Sequence, residues 1–389
     1  MKLHMLLKRN NNSSSLSKNG RYLLPFLILH FILCSCENQP TEYVFEKYIE
    51  FDFNEIKTDG KVNFSKMFFK GKFRLDDTDV VIFQDYLSSQ ILYVNSKSKN
   101  VLKQFIIPRR EGCKGASNLF VLSKDRFVYS DKHNNEIVLC SDKEIIKSFN
   151  PSLSHEVEKF MKVKSSANGF LVFNDELLFA LDVPYGIDSV NTDSVFEFIP
   201  SFYKIPLLTN DTISVSSTEM KTVTSRKHKK DEYIYDMTPT AVTLNKNQLL
   251  LYQTTCDSVL VFNRNSKGGF EKVANVKVSG TNYPVEPIVY KKNLSYEILW
   301  EKVYDNVTLN DFIKSNGSNQ YYRFIRPRNN DFELKEPEYK LLETLNQNFE
   351  VISELKVSKN YSRIVELGGV SFLVYKDIPG KKIRIEIIE

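Results

Sequence analysis

One short unit returns along this sequence. An apolar, β-branched run closes on an aromatic residue, a polar turn follows, and a second apolar run begins. It reads Val80–Asp85 then Gln90–Asn95, Phe127–Asp131 then Glu136–Cys140, Leu249–Gln253 then Ser258–Phe262, and Phe372–Asp377 then Lys382–Glu386. The first apolar residue of each second run (Ile91, Ile137, Val259, Ile383) lies seven or eight positions after the aromatic, the spacing of a hairpin with a short connection. Weaker copies at Leu177–Asp182 and Gln320–Phe324 fill the gaps, giving anchors at Phe83, Tyr129, Phe179, Tyr252, Tyr322 and Tyr375. Six units over residues 36–389 leave about 59 residues each, enough for a four-stranded blade with its loops. The pattern predicts an all-β, six-bladed β-propeller, with insertions around 183–235 and 283–315 where the anchor intervals are widest.

The two ends suit a closed ring. The last copy stops at its second hairpin strand, while Tyr43–Phe53 alternates like a strand and has no blade of its own. It is expected to supply the outer strand of the last blade, leaving only short protected edges. A β-sandwich or two small β domains is the rival architecture, and neither explains one hairpin returning six times.

Charge separates the first residues from the rest. Residues 1–35 hold five of the 53 basic residues (Lys2, Lys8, Arg9, Lys18, Arg21) and none of the 48 acidic ones, so the remainder is neutral. A neutral chain has no broad electrostatic attraction for nucleic acid, and none is expected as a partner. The basic stretch leads into an apolar run from Tyr22 to Leu33, about 12 residues and short for a membrane span. Leu33-Cys34-Ser35-Cys36 follows and resembles the bacterial lipoprotein box. That resemblance implies a signal peptide over 1–35, acylation of Cys36, a polar tether over 36–42 and the propeller over 43–389. Attachment to the membrane would then run through the lipid, in the bacterial cell envelope at the outer membrane, facing the periplasm or the surface. An uncleaved short anchor, or a cytosolic start at an internal Met, is the alternative; the basic region is long, and Met1 and Met5 are both candidates for the true start. Glu37 and Glu42 resemble a sparse form of the surface-export signal of Bacteroidetes lipoproteins.

Three features together resemble the Bacteroidetes lipoproteins with a TolB-like six-bladed β-propeller, a family of unknown function. They are the leader ending in Cys-Ser-Cys, the Glu111-Gly112-Cys113-Lys114-Gly115 turn, and Tyr321-Tyr322-Arg323-Phe324 in the fifth unit. In that family the turn usually reads Glu-Gly-Pro-x-Gly; Cys113 stands in place of the proline, and the turn is expected to be less rigid. The resemblance spans residues 41–389 and brings no established reaction with it.

Side chains that would carry chemistry are sparse. With Cys36 acylated, Cys113, Cys140 and Cys256 remain, an odd number at spacings that fit neither a disulfide framework nor a metal site. His133, His155 and His228 fall in no metal-binding motif, and no GxSxG, P-loop or GxGxxG occurs. No catalytic residue, metal or cofactor is expected. Trp300 is the sole tryptophan, against the recurring tryptophans of WD and Asp-box blades. Arg226–Lys230 is a basic run in the first insertion, read as a solvated loop or as a contact for an anionic headgroup, glycan or partner. Asp85, Asp131 and Asp377, each two residues after its anchor, are expected to cap hairpin turns.

Arg323 interrupts an aromatic run, where a charge is costly unless paired. It is either a structural Arg paired to a neighbouring blade's carboxylate or an Arg facing the central channel, ready to fork onto a carboxylate or phosphate. Arg323, Tyr322, Arg109, Glu111 and Lys114 are the ligand-binding candidates, the last three with Arg110 at a blade-to-blade turn. The expected function is a non-catalytic ligand- or protein-binding module of the cell envelope, with an unknown protein or glycan partner. The alternative is a glycan- or peptide-processing enzyme with its site in the central channel.

Overall fold

The computed structural model is built almost wholly of antiparallel strands. It describes residues 47–388 apart from 150–161, 183–201, 207–226 (216 and 217 excepted), 292–304 (298, 301 and 302 excepted), 329–336 and shorter loop stretches. The stretches expected to be a signal peptide and a tether with Cys36, and Cys113, Lys114, His133, His155, Arg226, Lys230 and Trp300, lie outside the described residues, as does the side chain of His228.

Five sheets have four strands each, and in four of them the strands lie side by side in sequence order. Sheet one is β2 (Met67–Leu75), β3 (Thr78–Asp85), β4 (Gln90–Asn95) and β5 (Val101–Ile106). Sheet two is β6 (Ser117–Val121), β7 (Arg126–Asp131), β8 (Glu136–Ser141) and β9 (Ile145–Phe149). Sheet four is β17 (Pro239–Asn245), β18 (Gln248–Gln253), β19 (Ser258–Arg264) and β20 (Phe270–Lys277). Sheet five is β22 (Thr308–Lys314), β23 (Tyr321–Arg326), β24 (Tyr339–Leu345) and β25 (Val351–Ser358). Sheet six is β26 (Tyr361–Leu367), β27 (Val370–Asp377), β28 (Lys382–Ile388) and, from the other end of the chain, β1 (Tyr48–Asp52). β1 runs antiparallel to β28 from Tyr48 opposite Glu386 to Asp52 opposite Lys382, so the early strand completes the last sheet. Sheet three has five strands: β10 (Lys162–Val163) and β11 (Phe170–Phe173) both pair with β12 (Glu176–Asp182), which continues to β13 (Phe202–Pro206) and β14 (Ser216–Ser217).

Burial on both faces explains the near-continuous apolar runs: the second and third strands are packed between neighbouring sheets. Phe51, Phe83, Leu92, Phe372 and Ile383 share a core between sheets six and one. Tyr93, Phe127 and Tyr129 do so between one and two. Phe173, Leu251 and Phe262 join three to four, Tyr252, Phe312 and Ile325 join four to five, and Phe324, Tyr361 and Leu373 join five to six. Antiparallel sheets of four or five strands packed face to face through these five cores make this a β-propeller arrangement.

The predicted hairpins are β3–β4, β7–β8, β18–β19 and β27–β28. Two anchors, however, are out of phase. Phe83 and Tyr129 pack toward the preceding sheet, whereas Tyr252 and Tyr322 pack toward the following one. A displacement of one residue along a strand moves a side chain to the opposite face, so an alignment of aromatics alone cannot fix the register. The insertions are also narrower than predicted. The first contains β13 and β14, which belong to sheet three, and the second ends before β22, which opens sheet five. What remains on either side of sheet four is brought together: β15 (Lys227–Lys229) and β16 (Glu232–Ile234) form a three-stranded sheet with β21 (Val289–Lys291).

Candidate functional site

Antiparallel order puts the crossover between sheets and the turn between the second and third strands of each sheet on the same face. That face carries Arg109, Glu111, the Asp85 and Asp377 turns, Asp257 and the crossovers that bear β15, β16 and β21. Asp85 accepts from the backbone N–H of Leu87 (3.0 Å) and of Asn63 (2.9 Å), and Asp377 accepts from that of Gly380 (3.2 Å). Both cap turns, with Asp85 also fastening the strand-free stretch after β1. Asp131 occupies the matching place in sheet two and is buried.

Arg323 is 1 % exposed on β23 and points toward sheet four. Its guanidinium forms an ion pair with Asp257, in the β18–β19 turn, and donates through Nε to Glu343 of β24 at 2.7 Å. Glu343 in turn accepts from the Thr281 hydroxyl at 2.6 Å. The crossover from β20, through Val278, Val285 and Thr281, is therefore core and network rather than a free loop. Tyr322, on the opposite face of β23, lies in the core toward sheet six, where burial raises its hydroxyl pKa. Arg323 and Tyr322, two of the ligand-binding candidates, are therefore both placed in buried contacts between sheets. Arg109 and Glu111 are exposed at the first crossover, as proposed from sequence. Arg110 between them pairs with Glu136 (3.0 Å) and donates to Ser148 (2.6 Å), fixing that crossover to sheet two. Cys140 is a buried thiol whose pKa desolvation lifts to about 12, the behaviour of a packing residue. No group of three or more His, Cys, Asp or Glu able to hold a metal occurs among the described residues.

Two features of this ring were not picked out from sequence. A cleft of about 760 Å³ opens on the crossover face where sheet six meets sheet one, walled by Phe53, Phe64, Leu87 and Ile378 and edged by Asp85 and Lys381. Beside it Lys376 donates to the carbonyls of Ser65 (3.0 Å) and Met67 (2.6 Å) over the rings of Phe64 and Phe68. The second is a cationic pair on the inner strands, Lys70 of β2 and Arg363 of β26. Desolvation, followed by the Arg363 charge, pulls the Lys70 ammonium down to about 7. Desolvation likewise lowers Arg363, against the opposing pull of Asp311 and Tyr252. Desolvation brings Lys376 to about 8, Lys66 adding to the fall and Asp85 opposing it.

Both lysines have folded pKa values below the unfolded value of 10.5, so above pH 7 the unfolded chain binds more protons than the folded one. Stability then rises with pH. A melting temperature that climbs from pH 7 to 9.5, with a shallower slope in Lys70→Met, is the expected result; a flat or falling profile would contradict these surroundings. The rise ends near pH 10, where tyrosines with raised pKa values such as Tyr93 reverse the sign.

The fold and the site together define a β-propeller whose internal charges are largely spent on joining its sheets. No protein-family profile and no curated protein matches the chain. Among solved structures, a member of the DUF4221 family from Bacteroides vulgatus superposes with a TM-score of 0.66 over 89 % of this chain and 97 % of its own, at 14 % identity. A gluconolactonase from Xanthomonas campestris (TM-score 0.45, 9 % identity, 83 % of this chain and 86 % of that one) and the calcium-binding protein regucalcin from Agrobacterium tumefaciens (0.45, 6 %, 82 % and 90 %) are more distant. At 14 % identity the first likeness speaks for the fold.

Proposed function

We propose that this chain is a lipid-anchored, six-bladed, TolB-like propeller of a Bacteroidetes cell envelope that works as a non-catalytic binding module. Sheet three, with β10 and β11 sharing the inner position, is counted as the sixth blade. The leader, the Cys36 box and the fold likeness to a Bacteroides protein support the setting. The observation that carries the binding role is the three-stranded sheet of β15, β16 and β21. Crossovers from both flanks of sheet four are knitted into one structure on the face that also holds the cleft, and loops on a rigid ring are where recognition is built. Enzymes on this scaffold need converging reactive groups, whereas the buried carboxylates Asp257 and Glu343 are tied to Arg323.

The test uses the full chain. Metabolic labelling with an alkynyl fatty acid should mark the wild type and not Cys36→Ala. In a screen of glycans and peptides, a ligand should raise the melting temperature of the parent but not of a variant with residues 218–238 replaced by a Gly/Ser linker. Conversion of that ligand to a new product, read by mass spectrometry, would overturn the non-catalytic reading.

A further inference from the structure

Inner strands β2 and β26 belong to neighbouring sheets: Met67 and Phe69 of the first share a core with Val365 of the second. Each breaks register near its start. On β2 the pairing passes from Phe69 to Gly71 and leaves Lys70 out; on β26 it passes from Tyr361 to Arg363 and leaves Ser362 out. The two bulges lie opposite Phe83–Ile82 and Tyr375–Val374, at one level of the ring. A bulge re-aims the side chains around it; here one leaves out Lys70 itself and the other stands directly before Arg363. β22 repeats the device between Leu309 and Asp311.

Lys70 and Arg363 each keep intermediate exposure on their inner strands, and desolvation lowers the pKa of both. Gly71 shows that space directly. The residue is buried, yet a Cβ built on it would meet nothing within 4 Å. The cations also lack a direct partner among the described residues. Among the described residues neither has an ion pair or hydrogen bond; the Lys70 ammonium touches only the Phe68 ring, 5.8 Å away, and the Arg363 Nε is buried without an acceptor. Asp311, whose charge reaches Arg363, already accepts from the backbone N–H of Ile364 at 3.0 Å. Elsewhere arginines between sheets are paired, as with Arg323 to Asp257 and Glu343 and Arg264 to Glu176. Two like charges that feel one another with no direct ion pair repel, and an anion between them reverses the sign.

We propose that Lys70 and Arg363, beside the open space at Gly71, form a binding site in the centre of the ring for an oxyanion: a phosphate or carboxylate group, free or borne by a larger ligand. The guanidinium offers a planar fork and the ammonium a point charge, a combination suited to three or more acceptor oxygens. The site deepens the binding-module reading by giving its ligand a charge, and it rests on that reading only for its biological use.

The test compares melting temperatures of the full-length protein in sodium phosphate, sodium citrate and sodium chloride at equal ionic strength. Phosphate and citrate at tens of millimolar should each raise the parent by roughly 2 °C or more over chloride. Phosphate alone would identify a phosphoryl group, citrate alone a carboxylate. The rise should vanish in Lys70→Met and Arg363→Met, persist in Lys70→Arg, and shrink in Gly71→Val, which fills the space without touching a charge. In chloride, Lys70→Met should melt no lower than the parent, because it removes a desolvated cation that has no direct partner. An oxyanion response of equal size in both methionine variants, or none in the parent, overturns the site. Because inorganic anions are the probe, a failed search for a glycan or protein partner leaves this result standing, and a partner could be found with the anion response absent.

Discussion

Arg323→Ala is expected to be among the most damaging single substitutions in this chain, costing about 3–5 kcal/mol, the usual consequence of removing one partner from a buried ion pair. The cause is what stays behind. Asp257 and Glu343 are both buried, and without the guanidinium their charges face each other across the interface of sheets four and five. Asp257 Oδ2 has no hydrogen-bond partner even with Arg323 present. For a ring of this size the loss corresponds to a fall of roughly 5 °C in melting temperature. Arg323→Lys should recover little, since a single ammonium cannot serve both the Asp257 turn and Glu343 on its own sheet. The diagnostic comparison is Arg323→Met combined with Glu343→Gln and Asp257→Asn. If stranded charge is the cause, the triple variant should regain most of the loss; if it melts as low as Arg323→Ala, the damage lies in packing instead. Chemical denaturation with the four proteins side by side decides this.

Arg323 also shows how far the sequence reaches. A charge inside Tyr-Tyr-Arg-Phe signals that a partner must exist, because burial without one is prohibitive. It does not say which partner, since Asp257 lies 66 residues away in another sheet and nothing local marks it. The hairpins were legible for a different reason. Strands packed on both faces must be apolar throughout, and a polar turn between two such runs stands out even in a single sequence. Where sequence failed was register and extent. Tyr252 and Tyr322 resemble Phe83 in type but face the other way, because aromatic character does not record strand phase. β13 and β14 were hidden inside a long interval since their sheet is completed only after the 183–201 stretch. The Lys70–Arg363 pair was invisible for the most basic reason. The two residues are nearly three hundred positions apart, each unremarkable locally, and only ring closure and two bulges bring them to one level.

Ring closure can be probed by a second substitution of large effect, Phe51→Ala, expected to cost about 3–5 kcal/mol. β1 is held to sheet six by its ladder with β28, from Tyr48 opposite Glu386 to Asp52 opposite Lys382, and by the one side chain it buries completely. Phe51 meets the Phe83 ring edge-on at 5.0 Å, and Phe83 meets Phe53 in the same way at 5.1 Å, so one ring joins the closing strand to sheet one as well as to sheet six. Truncation would leave a cavity among Phe83, Val374 and Ile383 that well-packed strands cannot collapse to fill. It would also loosen the only cover over the outer edge of β28, an unpaired row of backbone groups that invites association with other chains. Tyr48→Ala on the same strand supplies the contrast. Tyr48 is 49 % exposed, and among the described residues its ring lies over the Arg384 guanidinium at 5.6 Å, a contact worth under about 1 kcal/mol. Phe51→Ala should therefore melt several degrees below the parent and form concentration-dependent oligomers in light scattering, while Tyr48→Ala does neither. Equal effects from the two substitutions would mean that the β1–β28 ladder, and not the Phe51 ring, holds the propeller closed.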